Sequence, residues 1–435
     1  MPRVELISNV FHYYYTALLL HRSGYLQRYI TGPCARDNED WIRRYGKVFE
    51  RLWMERRLEG IPPEAIKRLW LHELVQKGVT RLTGSTEYSN RVCNELFAHK
   101  AAHVMRECDA VHFVHGIGWV AARKAKRLGS LVICDMREEH PHFQRDILSE
   151  EAQHLGIQFT VPGSSFSHHV LEEIDLADYI FCPSSYAKRT FVERGISETK
   201  IVVCPYGVDR AKFTSLERTP RTEFRVLFLG RVCMRKGIQY LLEGFRKAEL
   251  SDARLVLVGP VDPDFRVVLD RYRGLFEEVG SVSRSEVQAQ YLAADVFVMP
   301  SLADSYGLVV SEAMSSALPV IVSENTGMAD FIKNGREGFV VPIRDSDVIA
   351  KHLTFLHENR DVCTAMGQNG TMTVRALDWN NYQSVGASFY KSLFTTGAAA
   401  PAAAASLPQP SAASAAKMVA LETPRARNDP GLSRE

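Results

Sequence analysis

Short apolar runs rich in β-branched residues alternate with helical patterns along most of the chain. Within the helical pattern at 236–250, Ile238, Leu241, Leu242 and Phe245 fall on one face. Continuous apolar runs separated by helices are typical of parallel sheets buried on both faces. The runs form two sets, which cover residues 4–10, 109–116, 130–135, 178–184 and 201–207 in the first half and 224–230, 254–259, 295–301, 319–323 and 338–342 in the second.

Two such sheets in series predict an α/β fold of two Rossmann-like domains that face each other across a cleft. In domains of this kind a ligand binds at the carboxyl ends of the strands. The predicted first domain covers residues 1–213, and the second covers 214–376, beginning with a polar, turn-rich linker at 214–222. A further helical pattern at 377–396 predicts a helix that crosses back to the first domain.

Two stretches depart from this alternation. Residues 36–100 are rich in Arg and Trp, and their helical pattern, broken at 60–63, predicts a helical excursion from the first domain. Residues 397–435 are rich in Ala and Pro and have no apolar periodicity. Such a segment cannot bury enough surface to offset its ordering entropy, so we expect a disordered tail.

Composition narrows the class of protein. The 435 residues carry 53 Lys and Arg against 51 Asp and Glu, a net charge of +2 that gives no general case for nucleic-acid binding. No stretch of about 18 uninterrupted apolar residues occurs, and residues 1–20 lack a signal-peptide pattern, so neither a membrane span nor secretion is expected. The eight cysteines are scattered singly, which predicts reduced thiols in a cytoplasmic enzyme.

Candidate chemistry lies at two strand ends of the second set. After the run at 295–301, a loop carries Asp304, and Gly307 opens a helix that bears Glu312. Free amides at such a helix start form an anion site. After the run at 224–230, Arg231 and Lys236 are placed where two cations converge on a phosphate. Taken singly, each segment also suits a plain strand, loop and helix with solvated side chains. Each segment supports a functional role for the other, because both lie at carboxyl ends of strands in one sheet.

The order of these segments resembles the family 4 retaining glycosyltransferases of the GT-B fold, and within it a bacterial subgroup of the cell-envelope or exopolysaccharide type. The resemblance covers roughly residues 4–394. It is carried by Gly230-Arg231…Lys236-Gly237, Leu257-Val258-Gly259, Ala294 to Ser301, Tyr306-Gly307-Leu308-Val309…Glu312, and, in the first half, Ala177-Asp178-Tyr179 and Pro205-Tyr206-Gly207-Val208-Asp209.

The resemblance implies transfer of a sugar, with retention of configuration, from a nucleotide-diphosphate-sugar donor to a glycan or lipid-linked acceptor. Arg231 and Lys236 would bind the donor diphosphate, Glu312 the ribose and Asp304 the donor sugar. The amides of Gly307 and Leu308 would touch phosphate or sugar. Gly230, Ser305, Tyr306 and Val309 complete the implied donor-binding set. The family usually has Glu where this chain has Asp304, a side chain shorter by one bond of about 1.5 Å, which would retune sugar choice or weaken activity.

Histidines cluster in the first half of the chain. His12 and His115 follow first-domain strands, and the resemblance implies a role for His115 beside the reacting sugar. His12 and His140 are acceptor-side candidates, although a structural role for any one histidine is about as well supported. No metal or other cofactor is expected. A metal site of His112, His115, His140 and His142 lacks supporting carboxylates, and the two Asp-X-Asp motifs at 262–264 and 345–347 fit a turn and a helix cap.

Three other interpretations remain open. A GT-B-fold epimerase would share the cleft without needing a second acceptor, and a non-catalytic sugar-nucleotide-binding protein would keep the fold.

The third interpretation concerns the location of the protein. Residues 41–70 combine a basic excess with tryptophans, which suits peripheral contact with an anionic membrane on its inner face. A solvated cationic face explains that stretch slightly better, because acidic residues are interspersed in it.

Overall fold

The computed structural model describes residues 1–10, 13–36, 57–70, 75, 79–82, 84, 86–158, 164–209, 213 and 222–396. His12, much of the predicted excursion at 36–100, nearly all of the linker at 214–222 and the tail at 397–435 lie outside these residues. The predictions on those segments, membrane contact among them, therefore stay predictions. None of the helices in the described part of the chain has the length and apolarity needed to cross a lipid bilayer.

The first half of the described chain forms a parallel sheet with the spatial order β5-β2-β1-β6-β7-β8-β9. A separate two-residue pairing joins β3 to β4. The strands are β1 (Val4–Ser8), β2 (Leu26–Thr31), β3 (Ala35–Arg36), β4 (Arg57–Leu58), β5 (Ile66–Arg68), β6 (Ala110–Val114), β7 (Leu131–Asp135), β8 (Tyr179–Cys182) and β9 (Ile201–Val203).

The second half forms another all-parallel sheet, with the order β12-β11-β10-β13-β14-β15. Its strands are β10 (Phe224–Leu229), β11 (Ala253–Val258), β12 (Phe276–Gly280), β13 (Val296–Met299), β14 (Val320–Ser323) and β15 (Gly338–Val341). Strands β13 and β14 are buried along their whole length. This is expected of apolar strands covered by helices on both faces, so the prediction of two Rossmann-like α/β domains is confirmed.

Helices connect the parallel strands. In chain order they are α1 (Tyr14–Arg22), α2 (Thr86–Val104), α3 (Trp119–Arg127), α4 (Pro141–Leu155), α5 (Ser164–Leu176), α6 (Ser185–Val192), α7 (Ile238–Ala248), α8 (Arg266–Leu269), α9 (Arg284–Leu292), α10 (Leu308–Ser315), α11 (Ser346–Glu358), α12 (Arg360–Thr373) and α13 (Trp379–Thr396).

Helix α13 follows the second sheet in sequence but packs on the first. The hydroxyl of Tyr382 lies 2.8 Å from that of Thr16 on α1, and the hydroxyl of Tyr390 lies 2.5 Å from Nδ1 of His112 on β6. Trp379 stacks on Tyr15 with ring centroids 4.0 Å apart. These contacts join the end of the described chain to the first sheet.

The sequence pattern did not predict three strands of the two sheets, β2, β5 and β12. In addition, β4 and β5 fall where a helical excursion was predicted. The prediction for 36–100 is wrong at β4 and β5, because β5 is a three-residue edge strand too short to show a period. Strand β2 carries Arg28, which is buried and donates to Glu5 at 3.0 and 3.2 Å, so the strand does not read as apolar. Strand β12 lies at an edge, where its acids pair with arginines.

Candidate functional site

The segment that follows β10 presents Lys236 on a tight turn. Gly230 has φ +143°, and a short turn at Met234–Lys236 leads to Gly237, whose φ of +68° is left-handed. A Cβ atom at Gly237 would lie 1.9 Å from the carbonyl oxygen of Pro300, at the end of β13. Only glycine therefore allows the chain to pass this close to β13 and begin α7 directly after Lys236.

Lys236 donates to Asp304 in a short ion pair at the carboxyl edge of the second sheet. The two side chains are 12% and 13% exposed, so the pair is largely shielded from water. Burial alone would raise the pKa of Asp304. The nearby cations Lys236 and Arg235 lower it by more than burial raises it, so the pKa lies below its usual value. Asp304 is therefore an anion, and its negative charge balances the positive charge of Lys236.

The loop after Asp304 leads into α10, which begins after Gly307 in a left-handed conformation, φ +86°. Leu308 is exposed at the start of this helix. One turn further, a carboxylate oxygen of Glu312 accepts from the hydroxyl of Tyr291 at 3.0 Å, and the carbonyl of Val309 accepts from the same hydroxyl at 3.1 Å. The structure therefore places Asp304, the Gly307 helix start and Glu312 in sequence along one edge.

Arg231 lies apart from the buried pair. Its guanidinium donates to Asp262 at 2.6 Å, and its side chain is 63% exposed. The motif at 262–264 leads into a single helical turn, and Asp345 caps α11 by accepting from the amide of Val348 at 2.9 Å. Both Asp-X-Asp motifs thus have the local roles that the sequence analysis gave them.

Ser305 and Tyr306 direct their side chains to other parts of the chain. The Ser305 hydroxyl donates to the carbonyl of Arg137 in a short hydrogen bond, and the Ser184 hydroxyl donates to the carbonyl of Ser305 at 2.6 Å. The Tyr306 hydroxyl donates to the carbonyl of Tyr206 at 2.5 Å. Ser305 thereby links the two sheets, and both residues remain candidates for donor binding through their backbone atoms.

His115 follows β6 and lies 5% exposed at the interdomain cleft. Burial lowers the pKa of His115 to about 4, so its ring is neutral near pH 7. The loop behind it is held by the buried Glu173, whose carboxylate accepts from the amides of Gly116 at 2.6 Å and Gly118 at 2.7 Å. The site therefore offers a neutral imidazole on a well-supported loop.

His140 has a structural partner. Its Nδ1 accepts from the amide of His142 at 3.2 Å and so caps α4, and its ring packs edge-on against Phe191. Burial lowers the pKa of His140 to about 4 as well. Within the described ranges, no group of three or more His, Cys, Asp and Glu side chains is arranged to hold a metal ion, and this includes the four histidines considered above.

Several contacts hold the two domains together. Glu151 on α4, fully buried, accepts from Gln239 at 2.8 Å, from Tyr240 at 2.7 Å and from Arg344 at 2.8 Å. Elsewhere along the cleft, Arg189 donates to the amide oxygen of Asn325 at 2.8 Å. Residues that follow β6 and β7 in the first domain and β10 and β11 in the second line one cavity, so the carboxyl ends of both sheets face a shared cleft.

The second domain matches a known protein family. Residues 209–373, the segment that carries β10 to β15, match the family model described as glycosyl transferases group 1. The match covers less than half of the chain and is confined to the second domain. The residues at the carboxyl edge of the second sheet, Lys236, Asp304, Gly307 and Glu312, all fall inside the matched segment.

Curated relatives match part of the chain. A protein of the cps region of Klebsiella pneumoniae is 26% identical over 205 residues, 44% of this chain and 57% of that protein. The putative colanic acid biosynthesis glycosyltransferase WcaL of Escherichia coli is 26% identical over 172 residues, 37% and 42% of the two chains. Phosphatidyl-myo-inositol mannosyltransferase of Mycobacterium leprae is 30% identical over 206 residues, 45% and 54%. The chain spans about half the length of the curated relatives it matches.

Solved structures match most of the chain in fold. Sucrose-phosphate synthase of Thermosynechococcus elongatus aligns with a TM-score of 0.61 and 19% identity, over 91% of this chain and all of that one. Anabaena HepE in complex with UDP-glucose aligns with a TM-score of 0.61 and 13% identity, over 90% and 100%. The GT-B fold implied by the sequence resemblance is confirmed.

Two polar residues of the interdomain cleft escaped sequence analysis. Arg235 donates to the carbonyl of Ala303 at 2.7 Å, next to Asp304, and Glu139 is buried on the opposite wall of the cleft. Arg235 could have been recognised from the sequence, since it directly precedes Lys236 in the motif that begins at Gly230. Glu139 carried a weaker one, because only the fold brings it near the second domain.

Proposed function

We propose that this chain transfers a sugar from a nucleotide-diphosphate-sugar donor to a glycan or lipid-linked acceptor. The observation that carries the proposal is the shielded pair of Lys236 and Asp304 beside the Gly307 helix start. Cations and free amides at one strand edge suit a diphosphate, and acids beside them suit sugar hydroxyls. The HepE complex with UDP-glucose shows that a protein of this fold accepts such a donor.

The chemistry follows from where charge develops. As the bond from sugar to phosphate breaks, negative charge grows on the leaving phosphate, and fixed donors there stabilise the transition state more than the ground state. Lys236 would exchange part of its contact with Asp304 for the phosphate, leaving Asp304 to accept from a donor-sugar hydroxyl. Glu312 would hold the ribose, and Arg231 would meet the outer phosphate oxygens.

The proposal extends to stereochemistry and to metal. Retention would follow if the acceptor attacks from the leaving-group side and the departing phosphate takes its proton. Lys236, Arg231 and the helix amides would balance the phosphate charge without a metal ion. The names of the relatives, which include a cps-region protein and a colanic acid glycosyltransferase, favour an acceptor in cell-envelope or exopolysaccharide synthesis.

The test is a transfer assay with a panel of UDP-, GDP-, ADP- and dTDP-linked hexoses against glycoside and polyprenyl-linked acceptors. We expect release of nucleoside diphosphate from one donor class, strongly raised by acceptor and unchanged after EDTA treatment and desalting. Loss of turnover on chelation, restored by Mn²⁺ or Mg²⁺, would contradict the metal-independent chemistry. Interconversion of the donor sugar without acceptor would identify an epimerase, and binding of every donor without release would identify a non-catalytic protein.

A further inference from the structure

A cavity of about 530 Å³ lies between the two domains, and Arg235, the residue before Lys236, is part of its lining. From the first domain it is lined by Glu139, Gln144 and Leu148, among others, and from the second by Arg231, Arg235 and Phe265. Apolar side chains with a few polar groups are the usual lining of a small-molecule site. A cavity of this size has room for a sugar ring.

Glu139 is the unusual member of this lining. It is 2% exposed, on the loop between β7 and α4, and its Oε2 accepts from the side-chain Nε2 of Gln144 at 2.9 Å. The other oxygen, Oε1, has no hydrogen-bond partner within the described residues. A buried carboxylate can accept about four hydrogen bonds and is costly to leave unsatisfied, so Oε1 calls for a donor from outside the chain.

The charges around Glu139 place it beside the proposed donor site. Arg235 attracts its carboxylate, and Asp304 repels it, so both second-domain residues lie within electrostatic reach. Glu139 itself belongs to the first domain, whereas Lys236, Asp304 and α10 belong to the second. The carboxylate is therefore on the wall opposite the proposed diphosphate site, where the second substrate of a transfer reaction would enter.

The lining also indicates the charge of the ligand. Four acidic and three basic side chains border the cavity, which leaves it close to neutral. On its first-domain wall, Glu138 and Glu139 outnumber Arg145, so a phosphate group placed against that wall would meet more repulsive than attractive charges. A neutral sugar suits it better, because hydroxyls donate to carboxylates and the C–H face of the ring packs on side chains such as Leu148 and Phe265.

We propose that this cavity binds a neutral sugar unit of the acceptor and that Glu139 Oε1 accepts a hydrogen bond from one of its hydroxyls. The inference rests on the proposed function and deepens it, because it names the residue and the class of acceptor group. It does not make Glu139 the catalytic base; the carboxylate would hold a hydroxyl that does not react.

The test measures donor and acceptor binding separately on the full chain at pH 8. Calorimetry gives the Kd for UDP, GDP, ADP and dTDP, and ligand-observed NMR titrations give the Kd for neutral methyl glucosides, galactosides and mannosides and for glucose 1-phosphate. The variants are Glu139→Gln, which keeps the shape, Glu139→Asp, which keeps the charge, and the control Glu107→Gln, an exposed glutamate just before β6.

We expect Glu139→Gln to weaken binding of the preferred methyl glycoside by about 10- to 100-fold, the loss typical of a hydrogen bond to a charged group. Nucleoside diphosphate binding should stay within about twofold, Glu139→Asp should show an intermediate loss, and Glu107→Gln should match the wild type. The inference is overturned if the wild type binds no neutral glycoside, if it prefers glucose 1-phosphate, or if Glu139→Gln binds glycosides normally. Glycoside binding without any nucleoside diphosphate binding would instead overturn the proposed function and leave the cavity assignment standing.

Discussion

Replacement of Lys236 by alanine is expected to lower kcat by about 10²–10³, the usual cost of removing one electrostatic donor from a transition state. The reason is geometric. Lys236 is held at the carboxyl edge of the second sheet by its contact with Asp304. Its ammonium is therefore already positioned for a phosphate and does not have to move in from solvent. Nucleotide-release kinetics with the best donor of the panel measure the effect.

The matched control is Lys247→Ala. Lys247 lies at the end of α7 and pairs with Asp347 at 2.7 Å, but Asp347 is 80% exposed and the pair faces solvent. Its loss should leave kcat within about twofold, since exposed ion pairs contribute little to stability. A folded Lys236→Ala variant that turns over as fast as Lys247→Ala would remove Lys236 from the proposed diphosphate site.

The second large effect is expected from Gly237→Ala. The left-handed backbone there costs a residue with a Cβ about 1–2 kcal/mol, and overlap with the Pro300 carbonyl adds about 1–3 kcal/mol. The free energy of unfolding should therefore fall by about 2–5 kcal/mol in urea titrations. Turnover should fall with it, because any backbone shift that relieves the overlap moves the adjoining Lys236.

Gly335→Ala separates the two causes. Gly335 has φ +80°, but an added Cβ would meet nothing within 4 Å, so only the backbone strain applies. We expect a loss of about 1–2 kcal/mol and normal turnover for this control. Equal losses for the two variants would mean that the close approach of the Lys236 turn to β13 does not constrain the chain.

The fold was largely predictable because its central strands are buried on both faces. A strand such as β13 must be apolar along its whole length, and that requirement is visible in sequence. The missed strands escape the rule for separate reasons. Strand β2 buries Arg28 against Glu5, β12 is a charged edge, and β5 is three residues long.

The candidate site was predictable where its residues are local in sequence and hidden where they are not. Lys236, Asp304 and Glu312 are each recognisable from a strand end and the helix after it. The interdomain contacts leave no such signal. Ser305 was singled out for donor binding, yet its hydroxyl bonds to Arg137 of the first domain, and Glu139 becomes a candidate only through the cavity that both domains form.

Hydrogen exchange can locate the donor diphosphate directly. Backbone amide exchange would be measured on the full chain with and without a saturating nucleotide-diphosphate-sugar, and compared between residues 229–237, residues 303–312 and the loops of the first domain. We expect slower exchange in both second-domain segments, with the amides of Gly307 and Leu308 among the most protected. Protection confined to the first domain, with the donor demonstrably bound, would contradict a donor site built on Lys236, Asp304 and the start of α10.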